Sequence, residues 1–418
     1  MKFIKPFRGL RPTRELAANI ASHPYDVLNR EEAFALAHEN PLSFLHVNKP
    51  EIDVAPEVSP YDPSVYAKGR ENLDNLVQQE ALVRDNQDSL YVYRQVMGEH
   101  IQTGIVAVAF VDAYEAGLIR KHEFTRPDKE DDRVRHMDAL GAQVGPVFLT
   151  YQAQARVDAL VAEIVLSDPE YDFQAEDGTH HTFWSIEDET SIAALESAIN
   201  DLDCLYVADG HHRSAAASRI CNLYRDRNPA HLGGESYNFF LVVLFPHDQM
   251  QILDYNRIIK DFGEKTAKEF LTELGSNFVI KPVVNANEAK PVSPQQFGLY
   301  LENQWYRLEL SDLGRSRVNE SDPVASLDVS IMQQIMLGPI LGIHDQRTDK
   351  RVDFVGGIRG LEELEKRVDS GKWQAAIALY PTSIESLMSV ADAGEVMPPK
   401  STWFEPKLKS GLIVHVLD

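Results

Sequence analysis

Leu205 to Arg219 reads LYVADGHHRSAAASR. The run Cys204–Ala208 is short and apolar, as a buried strand is. Asp209, Gly210, His211, His212 and Arg213 follow without an apolar side chain, and the alanine-rich SAAASRI then favours helix. Asp209 or Ser214 is expected to cap the first turn. Strand, glycine turn and helix start together aim backbone N–H groups at one point. The helix dipole adds partial positive charge there, and Arg213 adds a full one. The corner is therefore read as a phosphate cradle built from Gly210, His211, His212 and Arg213. The competing reading is a capped turn with a structural histidine. Adjacent residues on a helix point about 100° apart, so His211 and His212 are not a zinc pair of the HExxH kind. A zinc site needs three or four ligands, and the sequence shows no obvious partner.

A second stretch, RKHEFTRPDKEDDR over residues 120–133, mixes both signs of charge. Such a run is usually a solvated surface. Glu123, between His122 and Thr125 at the expected end of a strand over 119–124, suits a general base or a Mg²⁺ ligand. Arg126 and Arg133 suit bidentate contact with phosphate oxygens. Lys400, Ser401 and Thr402 in MPPKSTWFEPKLKSG are weaker candidates for one wall of a pocket, and Arg8 and Arg11 near the start, beside prolines and a glycine, suit closing a loop over the core.

The chain has 418 residues, 44% hydrophobic and 25% charged, with a formal net charge of -23. Ordinary globular composition at this length predicts two lobes or one elaborated domain. The acidic balance argues against general nucleic-acid binding and leaves room for a small phosphate in a local basic pocket. Two cysteines, Cys204 and Cys221, allow no disulfide framework and no CxxC metal pattern, which fits a reducing cytoplasm. No stretch is long and apolar enough to span a bilayer, and no signal peptide is visible. Oligomeric state is left open. A Walker A loop, a strand-linked GxGxxG and a GxSxG elbow are all absent.

Strand and helix signals alternate, with hairpins at Gly98 and Asp177–Gly178, so the expected class is α/β in the sense of mixed α+β. Ser43–Val47 reads as a strand. Gln251–Ile259 is expected to pair with the apolar strand 238–246, and Leu327–Ile343 to form one long helix. The expected organisation is a main lobe over 1–260, a smaller α+β lobe over 261–370, and a segment 371–418 returning to the main lobe.

The set PFRGLRP, HPYDVL, RKHEFT with DDR, ADGHHR, SLDVSIMQQIMLGPILGI and AGEVMPPKSTWFEPKLKSG resembles the bacterial and archaeal domain-of-unknown-function family 1015 over nearly the whole chain. That resemblance implies a cytoplasmic protein, associated in some genomes with serine-biosynthesis genes. More distantly, the strand–DGHHR–helix corner looks like the phosphate-binding signature of the ParB/sulfiredoxin-like superfamily, which includes sulfiredoxins, nucleotide-binding ParB proteins and free-serine kinases. In those proteins a Gly-x-x-Arg helix start holds nucleotide phosphates. The likeness implies a ParB/sulfiredoxin-like catalytic lobe with residues 209–213 facing phosphate. Sulfiredoxin chemistry needs a cysteine in the motif, where this chain has His211 and His212.

The expected function is a phosphotransferase that uses ATP or ADP with Mg²⁺ to phosphorylate a small hydroxyl metabolite, free L-serine first. Asp209 or Glu123 would take the hydroxyl proton and hold the metal, with His212 also catalytic, while Arg126 and Arg133 join Gly210–Arg213 around the nucleotide. The alternatives are a ParB-like nucleotide switch without catalysis, and a phosphate-ester hydrolase working through His211 or His212. The expected partners are a small-molecule substrate and a nucleotide, with neither nucleic acid nor membrane.

Overall fold

The computed structural model describes residues 2–418 as two compact units, one of residues 2–250 with 406–418 and one of Gln251–Glu405. Both are mixed α+β. The first unit is built on a nine-stranded sheet. Its strands are β1 (Ile4–Lys5), β2 (Leu90–Met97), β3 (His100–Phe110), β4 (Ile119–Arg120), β5 (Val147–Tyr151), β6 (Tyr171–Gln174), β7 (His180–Ile186), β8 (Leu205–Asp209) and β9 (Phe239–Pro246). Their spatial order is β4-β8-β5-β9-β3-β2-β7-β6, with β1 pairing with β3 beyond the end of β2. Pairing is parallel for β4 with β8 and for β5 with β9, and antiparallel elsewhere.

The central strands carry the core. All eight residues of β9 are buried, as are all five of β5, so their apolar runs need no alternation. Helices α1 (Pro63–Gln78), α2 (Pro127–Leu140), α3 (Ala155–Ile164), α4 (Glu189–Asn200) and α5 (His211–Arg227) belong to the same unit. Val157, Leu195, Ile199, Ala216, Ala217 and Ile220 from these helices join Val147, Leu149, Val207, Val242 and Leu244 in one cluster.

The strand expected over Ser43–Val47 is instead a helical turn, Leu45–Asn48, whose Leu45 and Val47 are buried together with the preceding Phe44. Nor does Gln251–Ile259 pair with β9. Both edges of β9 are already occupied, by β3 and β5, so no hydrogen-bonding edge is left for it. Tyr255–Ile259 becomes β10 of the second unit's six-stranded sheet, alongside β11 (Phe278–Val283), β12 (Gln296–Leu301), β13 (Gln304–Leu310), β14 (Val352–Gly356) and β15 (Ala375–Leu379). The order is β11-β13-β12-β15-β10-β14. With β10 and β15 adjacent inside this sheet, the second unit extends beyond 261–370 at both ends.

The long helix expected over 327–343 is broken into Asp328–Met332, a π turn at Gln333–Leu337 and Gly338–Leu341. Pro339 has no amide to give the preceding turn, which loosens the ladder there. Gln333 then closes the segment by donating to the Ile343 carbonyl.

One buried amide completes the main sheet. β5 reaches β9 only from Val242 onward. Before that point Gln143 stands in for a strand, donating to Phe239 O at 3.1 Å and accepting from Leu241 N–H at 2.7 Å. Gln143→Ala leaves two buried backbone groups without partners. A stability loss of about 1–3 kcal/mol is expected in urea denaturation, without a change in m-value.

Candidate functional site

The corner between β8 and α5 begins with a slip in register. Val207 faces Leu149 and Asp209 faces Phe148, so Ala208 is an extra residue, a bulge that turns Asp209 at the strand's end. Gly210 follows at φ 101°, where an L side chain is strained. A Cβ there would also meet the Arg213 guanidinium at 3.2 Å. The helix ladder starts with Ser214 N–H donating to Gly210 O, so the amides of His211, His212 and Arg213 precede it. Neither Asp209 nor Ser214 caps them, contrary to expectation, and the first turn holds no carboxylate. Ser214 Oγ donates instead to His211 O, and Asp209 is held by cations.

Those cations are Lys407, at 3.0 Å from Asp209 Oδ2, and Arg213, at 3.8 Å from Oδ1. Burial pushes the Asp209 carboxyl up, but Lys407 and Arg213 outweigh it and hold it well below the usual carboxylate range. Arg213 is 7% exposed, donates to the Pro146 carbonyl, and keeps a buried Nε without a partner. Tyr25 lies under Arg133, whose guanidinium carbon is 3.9 Å from the ring centroid. Burial pushes the Tyr25 phenol up to about 12, and Arg133 and Arg213 both oppose that shift.

The strand expected over 119–124 stops at Arg120, leaving His122 and Glu123 in a loop. This loop turns its backbone toward the two histidines of α5. His122 N–H points to His211 Nε2 at 3.5 Å, and Arg126 N–H donates to His212 Nε2 at 3.0 Å. Both Nε2 atoms therefore act as acceptors, which places the ring proton of each histidine on Nδ1. His211 Nδ1 is 3.9 Å from Glu123 Oε2. Burial pushes His122 down to about 4, with the Val207 carbonyl and Asp209 opposing, and burial with His122 alongside keeps His211 well below the usual imidazole range. Both rings are neutral at neutral pH.

The structure thus joins Glu123 to His211, Arg126 to His212, and Arg213 to Asp209. Arg126 contributes its main chain, since its side chain is 70% exposed and pairs with Asp128. Arg133 spends Nε and Nη2 on Asp132. Arg11 pairs with Asp85 and Glu170 rather than entering the corner. Lys400, Ser401 and Thr402 belong to the second unit.

Sequence reading missed Lys407 and the parts played by Tyr25 and His122. The available signal for Lys407 was the alternation KLK, two lysines that both point inward and find carboxylates, Lys407 with Asp209 and Lys409 with Asp177.

Residues 4–330 match the family described as "Protein of unknown function (DUF1015)". The chain belongs to this family. The family span takes in the HEFT and DGHHR segments and ends before Lys407. A comparison with curated proteins finds no match. Among solved structures, this DUF1015 member is similar to a free serine kinase in complex with AMP, at 12% identity and a TM-score of 0.36, over 74% of this chain and 92% of that one. It is similar to a conserved hypothetical protein from Pyrococcus furiosus, at 13% identity and 0.33, over 74% and 95%. It is also similar to SbnI with a C-terminal truncation from Staphylococcus aureus, at 10% and 0.36, over 72% and 84%.

Two outcomes follow from the electrostatics. Lys407→Met removes the closer cation from Asp209, so the carboxyl's midpoint rises, read by carboxyl NMR in a pH titration. The second concerns His122, His136, His181 and His415, which burial pushes down to about 4, 3, 3 and 4 from an ordinary 6.5. In the unfolded chain they take up protons as pH falls through 6.5, while the folded protein does not until near 4. Stability is therefore full above 6.5 and drops below it, each histidine contributing at most ~1.4 kcal/mol per pH unit. Calorimetry at pH 7 and pH 5 should show the first unit's transition move to lower temperature at pH 5.

Proposed function

We propose that this protein is a nucleotide-dependent phosphotransferase acting on a small hydroxyl metabolite, with ATP or ADP as donor and free L-serine as the first acceptor to test. The observation that carries the reading is the start of α5. A long helix begins uncapped, without a first-turn carboxylate, directly after a buried strand, and beside it sits a buried guanidinium with an unmet Nε. An anion is the natural complement of such a corner. The amides of His211, His212 and Arg213 would face the phosphates, with Lys407 and Arg213 offsetting their charge.

In this reaction the acceptor oxygen attacks the terminal phosphorus, the bond from that phosphorus to the bridging oxygen breaks, and the shortened nucleotide leaves. The hydroxyl proton passes to a carboxylate. Glu123 suits that role better than Asp209. An aspartate paired with Lys407 and Arg213 is a weak base, and Glu123, partly exposed beside His211, is the carboxylate of this corner that solvent and an acceptor can reach. The same pairing makes Asp209 a poor Mg²⁺ ligand, because a metal would have to displace two cations. Mg²⁺ is accordingly assigned to the incoming nucleotide as part of the substrate.

The hydrolase alternative is less favoured. It needs a free, reachable imidazole nitrogen on His211 or His212, whereas His212 Nε2 already accepts the Arg126 N–H at 3.0 Å and His211 is buried with the His122 N–H toward its Nε2. A pure switch would bind nucleotide and turn nothing over.

The test is purified protein with ATP or ADP, Mg²⁺ and a panel of hydroxyl metabolites, read by phosphorylated product and by released phosphate. Phosphoserine formation is expected. Thermal stabilisation by nucleotide without any product would leave the switch, and phosphate release without an acceptor would leave the hydrolase. Arg213→Lys keeps the charge but loses the planar fork. It should weaken nucleotide binding about tenfold, corresponding to ~1.4 kcal/mol.

A further inference from the structure

The loop after β4 brings two imidazoles and a carboxylate together. His122, Glu123 and His211 each offer one ligand atom, and the three atoms lie within 4.8 Å of one another. The rings of His122 and His211 meet edge to face with centroids 4.5 Å apart. A separate observation points the same way. His122 is 2% exposed, and neither buried ring nitrogen makes a well-formed hydrogen bond, although the Val207 carbonyl acts on the ring. Leaving a buried polar group unmet costs about 1–3 kcal/mol, and even with its N–H toward the Val207 carbonyl the ring keeps a buried acceptor nitrogen that a cation would satisfy. The side chain of Glu123 is 39% exposed, which gives the cluster a solvent-facing side.

We propose that His122, Glu123 and His211 bind a divalent first-row transition metal in an open, three-ligand site. Two neutral imidazoles and one carboxylate match zinc, cobalt, manganese or iron, whereas Mg²⁺ and Ca²⁺ prefer oxygen ligands alone. Three protein ligands leave room for water or substrate, the arrangement of catalytic rather than structural sites. Metal–ligand bonds of about 2.0–2.2 Å require the three atoms to draw in by roughly an ångström. Glu123, the most exposed of the three, lies on the solvent side from which that adjustment would come.

Binding through His211 Nδ1 sends its proton to Nε2, which then no longer accepts from the His122 amide. That contact is already at the outer limit, 3.5 Å, so little is lost. With the cation in place Glu123 is a ligand rather than a proton acceptor. The proposal therefore revises one assignment of the phosphotransferase reading and leaves the phosphate-facing amides untouched.

The experiment is a titration of chelator-treated full-length protein with Co²⁺, in excess Mg²⁺ and without nucleotide, read by calorimetry and by visible d–d absorption. One equivalent is expected to bind. Affinity should fall about tenfold or more in His122→Ala and in Glu123→Gln, and stay the same in His212→Ala. Circular dichroism checks the fold of each variant, and Glu123→Gln, isosteric and partly exposed, decides the matter if His122→Ala does not fold. No stoichiometric uptake, or uptake unchanged in Glu123→Gln, overturns the proposal. Uptake of one equivalent by a protein that forms no phosphorylated product sinks the phosphotransferase reading alone. Product formation by a protein that takes up no Co²⁺ sinks the metal site alone.

Discussion

The reversal of the chain at Gly210 is the constraint on which the rest of the site depends. A bulge at Ala208 turns the end of β8, and a residue at φ 101° then lets the helix begin at once. Any longer connection would carry the first amides of α5 away from Asp209. Any side chain at 210 would be strained and would press on the Arg213 guanidinium. Placing Asp209, three leading amides and Arg213 within a few ångströms is thus a consequence of backbone geometry, fixed before any ligand arrives. The buried strand on one side and the buried face of α5 on the other hold that geometry rigid.

Rigidity of this kind creates an electrostatic problem. A carboxylate at a strand end beside a helix start is drawn into a poorly solvated place, where its charge must be met. Lys407 meets it from nearly two hundred residues away, at 3.0 Å. The segment that delivers Lys407 is tied down independently. Ser22 and Ser410 exchange backbone hydrogen bonds, Asn48 donates to Ser410 Oγ, and Gln95 donates to the Lys407 carbonyl. The pairing of Asp209 therefore depends on the C-terminal segment 406–418 being packed within the first unit. Without Lys407, Arg213 alone would face the carboxylate, at 3.8 Å, a distance too long for a hydrogen bond.

The corner was legible in the sequence because its causes are local. An apolar run, a glycine and an alanine-rich stretch determine strand, turn and helix with little help from elsewhere. The mixed α+β class was legible for the same reason, from alternating periods and hairpin glycines. What could not be read was set by distant partners. Tyr255–Ile259 has the composition of a strand in either unit, and only the occupancy of both edges of β9 sends it to the second sheet. Ser43–Val47 is apolar enough for a strand, yet no strand edge receives it. His122 reads as the flank of a charged run, and nothing in its neighbours' identities announces that it will be buried against His211. Lys407 is one lysine in a proline-bounded tail, and its role exists only once Asp209 is known to be beside it.

The two histidines of the motif show how differently neighbouring residues are used when a loop packs against a helix start. His211 is buried and faces back along the chain toward His122 and Glu123, while His212 is partly exposed and accepts from Arg126. Both contacts come from the same short loop, and both use backbone N–H groups as donors. Main-chain donors cannot ionise, so while the rings are neutral and no cation is bound they favour the tautomer with its proton on Nδ1. The loop 121–126 thereby decides which nitrogen of each ring is available for chemistry. A shift of this loop would release two lone pairs at once, and the reactivity of the motif is governed by a segment some ninety residues away from it.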